Sequence, residues 1–470
     1  MKGPDSSTAV PLGRALRALA SVLLLWTAGG CRPAAPRNLV VICIDTLRAD
    51  HVGLWGYGRP TTPVIDAFGA RGVIYENTLA PSNWTVPSVA SIFTSQPPER
   101  HGAGVTGDVR DLRPGEPPRQ PAEGLPLLAA QARAQGYLTG LFSANPFLYG
   151  RFKEGFDDAT VERVNATRLT DAALAWLARD DSRPRLLYVQ YIDAHQPNQP
   201  PDPYLQMFPA ADGKPHEPRH QDWSYGQARD LEDPEFLSFR DHRIAVYDGS
   251  VRFIDNEIGR LLAALDRPPF RGSTVVAVTS DHGEEFWDHA REEADWGDDP
   301  RGFWGVGHGH TMYQELLRVP LVIAGPGFTG GRRDPCPTTL LDLAPTLLAA
   351  GGLNPLPGAA GIDLRRRAES GSGDCQERVL HASSPAYGRN RSAVVVGGWK
   401  LIESVGGSPQ LFRLAKDPQE RHDLSAEAPR RLASMQRYLR ELQASDGAAV
   451  GVLPESDEKL ETDLKALGYL

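Results

Sequence analysis

Four continuous apolar runs rich in β-branched residues constrain the fold of this 470-residue chain more than any other feature. They are Asn38–Ile44, Arg185–Ile192, Ser273–Thr279 and Arg318–Ala324. Runs that are apolar at consecutive positions suit strands buried on both faces of a mostly parallel sheet. Between them, Pro126–Gln135, Thr170–Ala178 and Ile244–Leu265 carry apolar residues at helical spacing. Strands alternating with helices predict a doubly wound α/β sandwich, whose chemistry gathers at the C-terminal ends of strands. Asp45, Asp193 and Asp281 each follow such a run.

The rest of the chain divides around this body, expected over 38–360. Gln196–Arg240 is Pro-, Asp- and aromatic-rich without periodicity, and a loop so long beside a strand end reads as a cover over the site. From Gly361 the pattern changes: Val394–Ile402 and Gln410–Leu414 predict a small antiparallel sheet, and Ala428–Gln443 a charged amphipathic helix. Hydrophobic residues at 41% and charged residues at 23% exclude a disordered or multi-span membrane protein. A net charge of -9 leaves no basic field for nucleic acid.

Met1–Cys31 reads as an export signal. Arg14 and Arg17 precede an apolar stretch, Ala18–Ala28, too short for an ordinary spanning helix and ending in small residues. Gly29-Gly30-Cys31 is similar to a bacterial lipoprotein signal in which Cys31 becomes the lipidated first residue, although Ala28 stands where Leu is usual. This predicts a chain anchored to a bacterial membrane on its periplasmic or extracellular side, with 32–37 as linker. Cys43 lies in an apolar run and reads as an inert core thiol, whereas Cys336 and Cys375 are open to two readings, a bridge or two thiols.

Three separated segments could carry chemistry. Asp45 follows its strand; Trp84-Thr85-Val86-Pro87-Ser88 starts a helix; Asp281-His282-Gly283-Glu284 follows another strand. A hydroxyl at a helix N-terminus meets unpaired N–H groups that favour an oxyanion. Carboxylates and an imidazole suit a divalent cation, which would activate a coordinated Thr hydroxyl.

Together these segments resemble the sulfatase branch of the alkaline phosphatase superfamily. Further segments agree in order along Asn38–Ser425, among them Thr62-Pro63, Thr94-Ser95-Gln96-Pro97 with His101-Gly102, Arg318-Val319-Pro320 and Asp417-Pro418-Gln419-Glu420. The resemblance implies an alkaline-phosphatase-like sheet between helices. It also implies a metal held by Asp45, Thr85, Asp281 and His282, with Thr85 as nucleophile. His195 matches a histidine that contacts the ester or assists the leaving group. His308 and His310 lie where the family often places a substrate-binding Lys, and His310 is assigned a catalytic part. Asp193, Asn145 and His308 are the further candidates for substrate or a second metal. Because the step from Asp193 to His195 is shorter than the family's usual spacing, one metal is expected, and no other cofactor.

The departures from the family pattern point to chemistry. Thr85 cannot become the formylglycine aldehyde that sulfatases make from Cys or Ser. Val89 replaces an Arg, Ser143-Ala144-Asn145 replaces a Lys-Trp-His stretch, and Thr46 replaces a second Asp ligand. His282 replaces an Asn, which favours Zn or Mn over Ca, with Mg also possible. The expectation is an exported hydrolase or transferase that cleaves a phosphate-type ester, a diester or phosphonate monoester first. The expected substrate is an anionic ester, with a lipid headgroup or a polysaccharide as its candidate carriers. The alternatives are a sulfatase working without formylglycine, and a non-catalytic binding protein on the same fold.

Overall fold

The chain is described by a computed structural model over residues 38–113, 116–221, 230–370, 375, 377–445, 451–452, 462–463 and 466. The signal, Cys31 and the linker lie outside the described residues. Asn38–Ile44 is buried at every position because it has a strand on each side, Arg185–Tyr191 and Thr274–Ser280, both parallel to it. Leu138–Ser143 and Asp158–Val161 extend the parallel array on one side. Val73–Leu79, Leu321–Ala324 and Arg332–Thr339 complete the other side. Among the described residues this is a nine-stranded sheet, and the doubly wound, mostly parallel expectation holds.

Two features depart from the sequence reading. Arg318–Ala324 breaks at Pro320 into Arg318–Val319 and Leu321–Ala324, and both pieces run antiparallel to their neighbours. A parallel neighbour needs a crossover that returns the chain to the same end of the sheet. The connection from Ser280 to Arg318 holds the short helices Ala290–Trp296 and Gln314–Leu317 and the strand pair Glu285–Phe286 and Val306–Gly307, and re-enters the sheet at the end it left, where Leu321 pairs with Thr279. The covering segment is also shorter than Gln196–Arg240, because a 32-residue helix, Pro234–Leu265, begins inside it. Asp233 caps that helix by accepting from the Glu235 N–H at 3.2 Å, and Pro234 occupies its first turn.

The C-terminal sheet is antiparallel in the order Leu380–Ser383, Arg391–Val396, Trp399–Ser404, Gln410–Arg413. Val394–Ile402 is therefore two strands, since Gly397 and Gly398 adopt φ of 56° and 75° and close a hairpin. Met435 and Leu439 of the Pro429–Ser445 helix pack on Val394, Leu401 and Leu411. The segment from Gly361 to Leu364 stays with the larger body: Gly361 N bonds Ser95 Oγ at 3.1 Å and Ile362 N bonds Asp342 at 2.8 Å. The small sheet thus starts later than Gly361, at Leu380. Cys336 and Cys375 form a disulfide, which settles their pairing, and Cys43 is a buried free thiol.

Gly283, which follows His282, lies directly under the Glu315–Leu316 backbone and donates its N–H to the Leu316 carbonyl at 2.8 Å. A Cβ there would stand 1.8 Å from the Glu315 carbonyl oxygen. Gly283→Ala is expected to destabilise the fold by about 2 kcal/mol, measured by urea unfolding.

Candidate active site

The parallel register lines up the ends of three central strands, since Ile44 pairs with both Tyr191 and Ser280. Asp45 and Asp281 leave the sheet side by side, both fully buried. Burial and the neighbouring Asp281 push the Asp45 carboxyl up to about 8, and burial pushes Asp281 up to about 7. Gln190, one strand over, donates to both, at 3.3 Å to Asp45 and 3.0 Å to Asp281. The backbone after Asp45 turns through Thr46 at a φ of 60°, a left-handed conformation unusual for Thr, and the Tyr247 hydroxyl holds its carbonyl at 2.8 Å.

The His282 orientation is set by its own loop. Its Nδ1–H donates to the Gly283 carbonyl at 2.9 Å, which leaves the Nε2 lone pair facing Asp45 Oδ1 at 3.4 Å and Asp281 Oδ2 at 3.7 Å. Burial keeps this imidazole neutral by lowering its pKa. Thr85 heads the Thr85–Thr94 helix, which no side chain caps, and its Oγ1 lies 3.3 Å from His282 Nε2. Asn145 donates to Thr85 Oγ1 at 3.1 Å and to Asp45 Oδ2 at 2.5 Å. Its own Oδ1 accepts the Phe147 N–H at 2.9 Å, which fixes the amide's direction.

These donors fit a divalent cation. Donor atoms of Asp45, Asp281 and His282 lie within 4.8 Å of one another, and Asp45 Oδ1 is buried without a hydrogen-bond partner. Once ionised, two adjacent buried carboxylates beside one neutral imidazole carry a negative charge that a bound cation balances. Among the described residues, no Lys or Arg hydrogen-bonds Asp45, Thr85, Asp281 or His282.

Two histidines continue outward from His282. The His308 ring lies 4.5 Å from that of His282, and the His195 ring 4.8 Å from that of His308. Burial and the neighbouring rings hold both neutral, His195 down to about 3. His308 Nδ1 bonds Glu284 at 3.1 Å. The turn bearing His195 is clamped by Asn198, whose amide donates to the Asp193 and Ala194 carbonyls at 3.1 and 2.7 Å. The fully buried Arg243 guanidinium in turn donates to Asn198.

Two expected participants stand elsewhere. Gly309, at a φ of 84°, breaks the alternation that would put His308 and His310 on one face, and the His310 imidazole meets Glu285 at 3.0 Å and Glu293 at 3.2 Å. Burial opposes its charge, but these carboxylates raise its pKa to about 10, so the ring is held protonated between two acids. Asp193 Oδ1 accepts the Ala166 N–H at 3.1 Å, where the Ala166–Leu177 helix begins, and its Oδ2 is buried without a hydrogen-bond partner. Sequence reasoning missed the roles of Gln190, Glu284 and Arg243. The signal for Gln190 was a lone amide in a strand otherwise buried on both faces.

With Gln190 fixing both carboxylates, Gln190→Leu should lower metal affinity about 10- to 100-fold, read by competition with a chelating dye. The raised pKa values also set the pH dependence of the metal-free chain. Asp45 and Asp281 stay protonated in the fold from about pH 4, where they ionise in the unfolded chain, up to about pH 7 to 8. The native state then binds more protons, so stability falls as pH rises through that window, by about 1.4 kcal/mol per pH unit for each proton. Calorimetry in chelator should show this fall, and added divalent metal should reverse it.

The Sulfatase family profile matches residues 37–353. A sulfatase of Formosa agariphila is 28% identical over 177 residues, which cover 38% of this chain and 31% of that protein. The chain thus spans about a third of that relative's length. An arylsulfatase of Clostridium perfringens is 23% identical over 444 residues, covering 82% of this chain and 89% of that protein. The crystal structure of a phosphonate monoester hydrolase from Silicibacter pomeroyi superposes with a TM-score of 0.65 at 22% identity, covering 88% of this chain and 96% of that one. Sulfatase-family enzymes use a divalent metal, in keeping with the buried carboxylate–imidazole group. The chain belongs to the sulfatase family.

Proposed function

We propose that this protein hydrolyses a phosphate-type ester, a diester or phosphonate monoester, with Thr85 as the nucleophile. The observation that carries this reading is the place of the Thr85 hydroxyl. It stands among Asp45, Asp281, His282 and Asn145 at an uncapped helix N-terminus, with a side chain that cannot become formylglycine. Asp45, Asp281, His282 and Thr85 would hold one divalent ion, Zn or Mn before Ca or Mg given the imidazole donor. When bound, the ion supplies Lewis-acid activation of the hydroxyl and charge neutralisation.

The side chains then divide the work. Thr85 Oγ attacks phosphorus in line, forming a P–O bond as the bond to the departing alcohol breaks; a water later cleaves the phospho-threonine and returns the hydroxyl. Asn145 holds the Thr85 oxygen in place, and the first turn of its helix offers N–H groups to the equatorial oxygens. His195 and His308, both neutral, are the groups to hydrogen-bond the ester, and one of them would take up the Thr85 hydroxyl proton before passing it to the departing oxygen. Among the described residues no Lys or Arg hydrogen-bonds the four central residues, which favours an ester of low negative charge. The likeness to a phosphonate monoester hydrolase supports the same choice. The full-length likeness to an arylsulfatase favours a second reading, sulfate-ester hydrolysis without formylglycine.

We infer as well that the chain is exported and lipid-anchored at Cys31 on a bacterial membrane. The signal pattern supports this, as does the Cys336–Cys375 bridge, since such bonds persist in oxidising compartments. A lipid headgroup or a surface polysaccharide would then be within reach as the ester's carrier.

The test is turnover of an aryl phosphodiester, a phosphonate monoester, a phosphomonoester and an aryl sulfate by the metal-loaded chain. Phosphate-type esters should be preferred, and Thr85→Ala should lower kcat about a thousandfold or more while metal stays bound. A preference for the aryl sulfate would overturn the reading in favour of the second.

A further inference from the structure

A second group of metal-ligating side chains lies in the covering segment. His216 and His220 come from that segment and His242 from the Pro234–Leu265 helix; all three are buried, with donor nitrogens within 4.8 Å of one another.

Proton positions follow from the outer contacts. His216 Nε2 lies 2.8 Å from the Phe208 carbonyl oxygen, which can only accept, so Nε2 carries a proton and a neutral ring has its lone pair at Nδ1. His242 Nε2 lies 3.0 Å from Asp212 Oδ1, which places that ring's proton at Nε2 and its lone pair also at Nδ1. The two Nδ1 atoms are only 2.7 Å apart, with the rings at 89°. Two neutral imidazoles so held point lone pair at lone pair, an unfavourable contact that a shared cation removes. Their outer partners, one carboxylate and one backbone carbonyl, are those that orient metal-bound histidines.

We propose that His216 Nδ1 and His242 Nδ1, assisted by His220, bind a first-row transition-metal ion, separate from the ion at Asp45 and Asp281. Imidazole donors select Zn, Co, Ni or Cu over Ca or Mg. His220 stacks on His242 at 4.1 Å, and its Nδ1 accepts the Glu217 N–H at 2.8 Å. It therefore joins the ion only after its ring turns, and contributes less than the facing pair. The ion would tie the covering segment to the helix that carries Arg243, the residue after His242. Through Asn198 that guanidinium braces the turn holding His195. The site is thus a structural cross-link between the segment that follows His195 and the helix that carries Arg243.

The test removes the central carboxylates. The full chain carrying Asp45→Asn and Asp281→Asn is loaded with Zn, passed over a chelating resin and assayed by elemental analysis. One Zn per chain should remain, against two in the unmutated chain, and X-ray absorption should show nitrogen scatterers from imidazole. Adding His216→Ala or His242→Ala should abolish retention, and His220→Ala should weaken it about tenfold. Retention of no ion by the carboxylate variant, with a single ion in the unmutated chain, would overturn the proposal and leave the pair sharing a proton. Oxygen-dominated scattering, or retention unchanged by His216→Ala, would overturn it too. The absorption measurement does not depend on whether a histidine variant folds.

Discussion

The site depends on a charge conflict between Asp45 and Asp281. Two carboxylates stand side by side where burial makes ionisation costly, and a neutral imidazole faces them. The parallel strands create this conflict, because adjacent strand ends in register deliver their next residues to the same point. Gln190 eases it without cancelling it: an amide donates to both acids but brings no charge. Protonation is one way out and a divalent cation the other, and Asp45 Oδ1, buried and unbonded, faces the place where a cation would bind.

The second requirement is to bring a hydroxyl to that point from a different part of the chain. Thr85 is set there by contacts far along the sequence. The Trp84 indole N–H donates to the Ser384 carbonyl at 2.7 Å, Ser82 Oγ donates to the same oxygen at 3.1 Å, and Asn83 accepts the Gly309 N–H at 3.0 Å. The C-terminal segment therefore acts as a brace for the nucleophile loop. That accounts for a small antiparallel sheet packed beside a body with its own core.

Much of this was legible in the residue pattern. Apolar runs without alternation reported strands buried on both faces, and the Asp residues after them reported the sheet end where chemistry would gather. The antiparallel run at Leu321–Ala324 was not legible, because orientation is decided by the connection and not by the strand's own side chains. His310 was misplaced for a related reason. A His-Gly-His step says nothing about which way each ring turns, and pairing of Glu285–Phe286 with Val306–Gly307 sends the two rings to different acids. Gln190 and Arg243 act only through groups distant in sequence, so no local spacing could reveal them.

The sequence by itself determined the fold class and the family, and singled out Asp45, Thr85, Asp281 and His282 as candidates, since periodicity and short motifs are local properties. Only the tertiary structure decided which neighbours orient them, which histidines stay neutral, and that His310 is held between two acids while Asp193 meets the start of a helix. Those outcomes depend on burial and on distances between segments far apart along the chain. A pKa or a hydrogen-bond direction exists only once the low-dielectric interior has closed around the group.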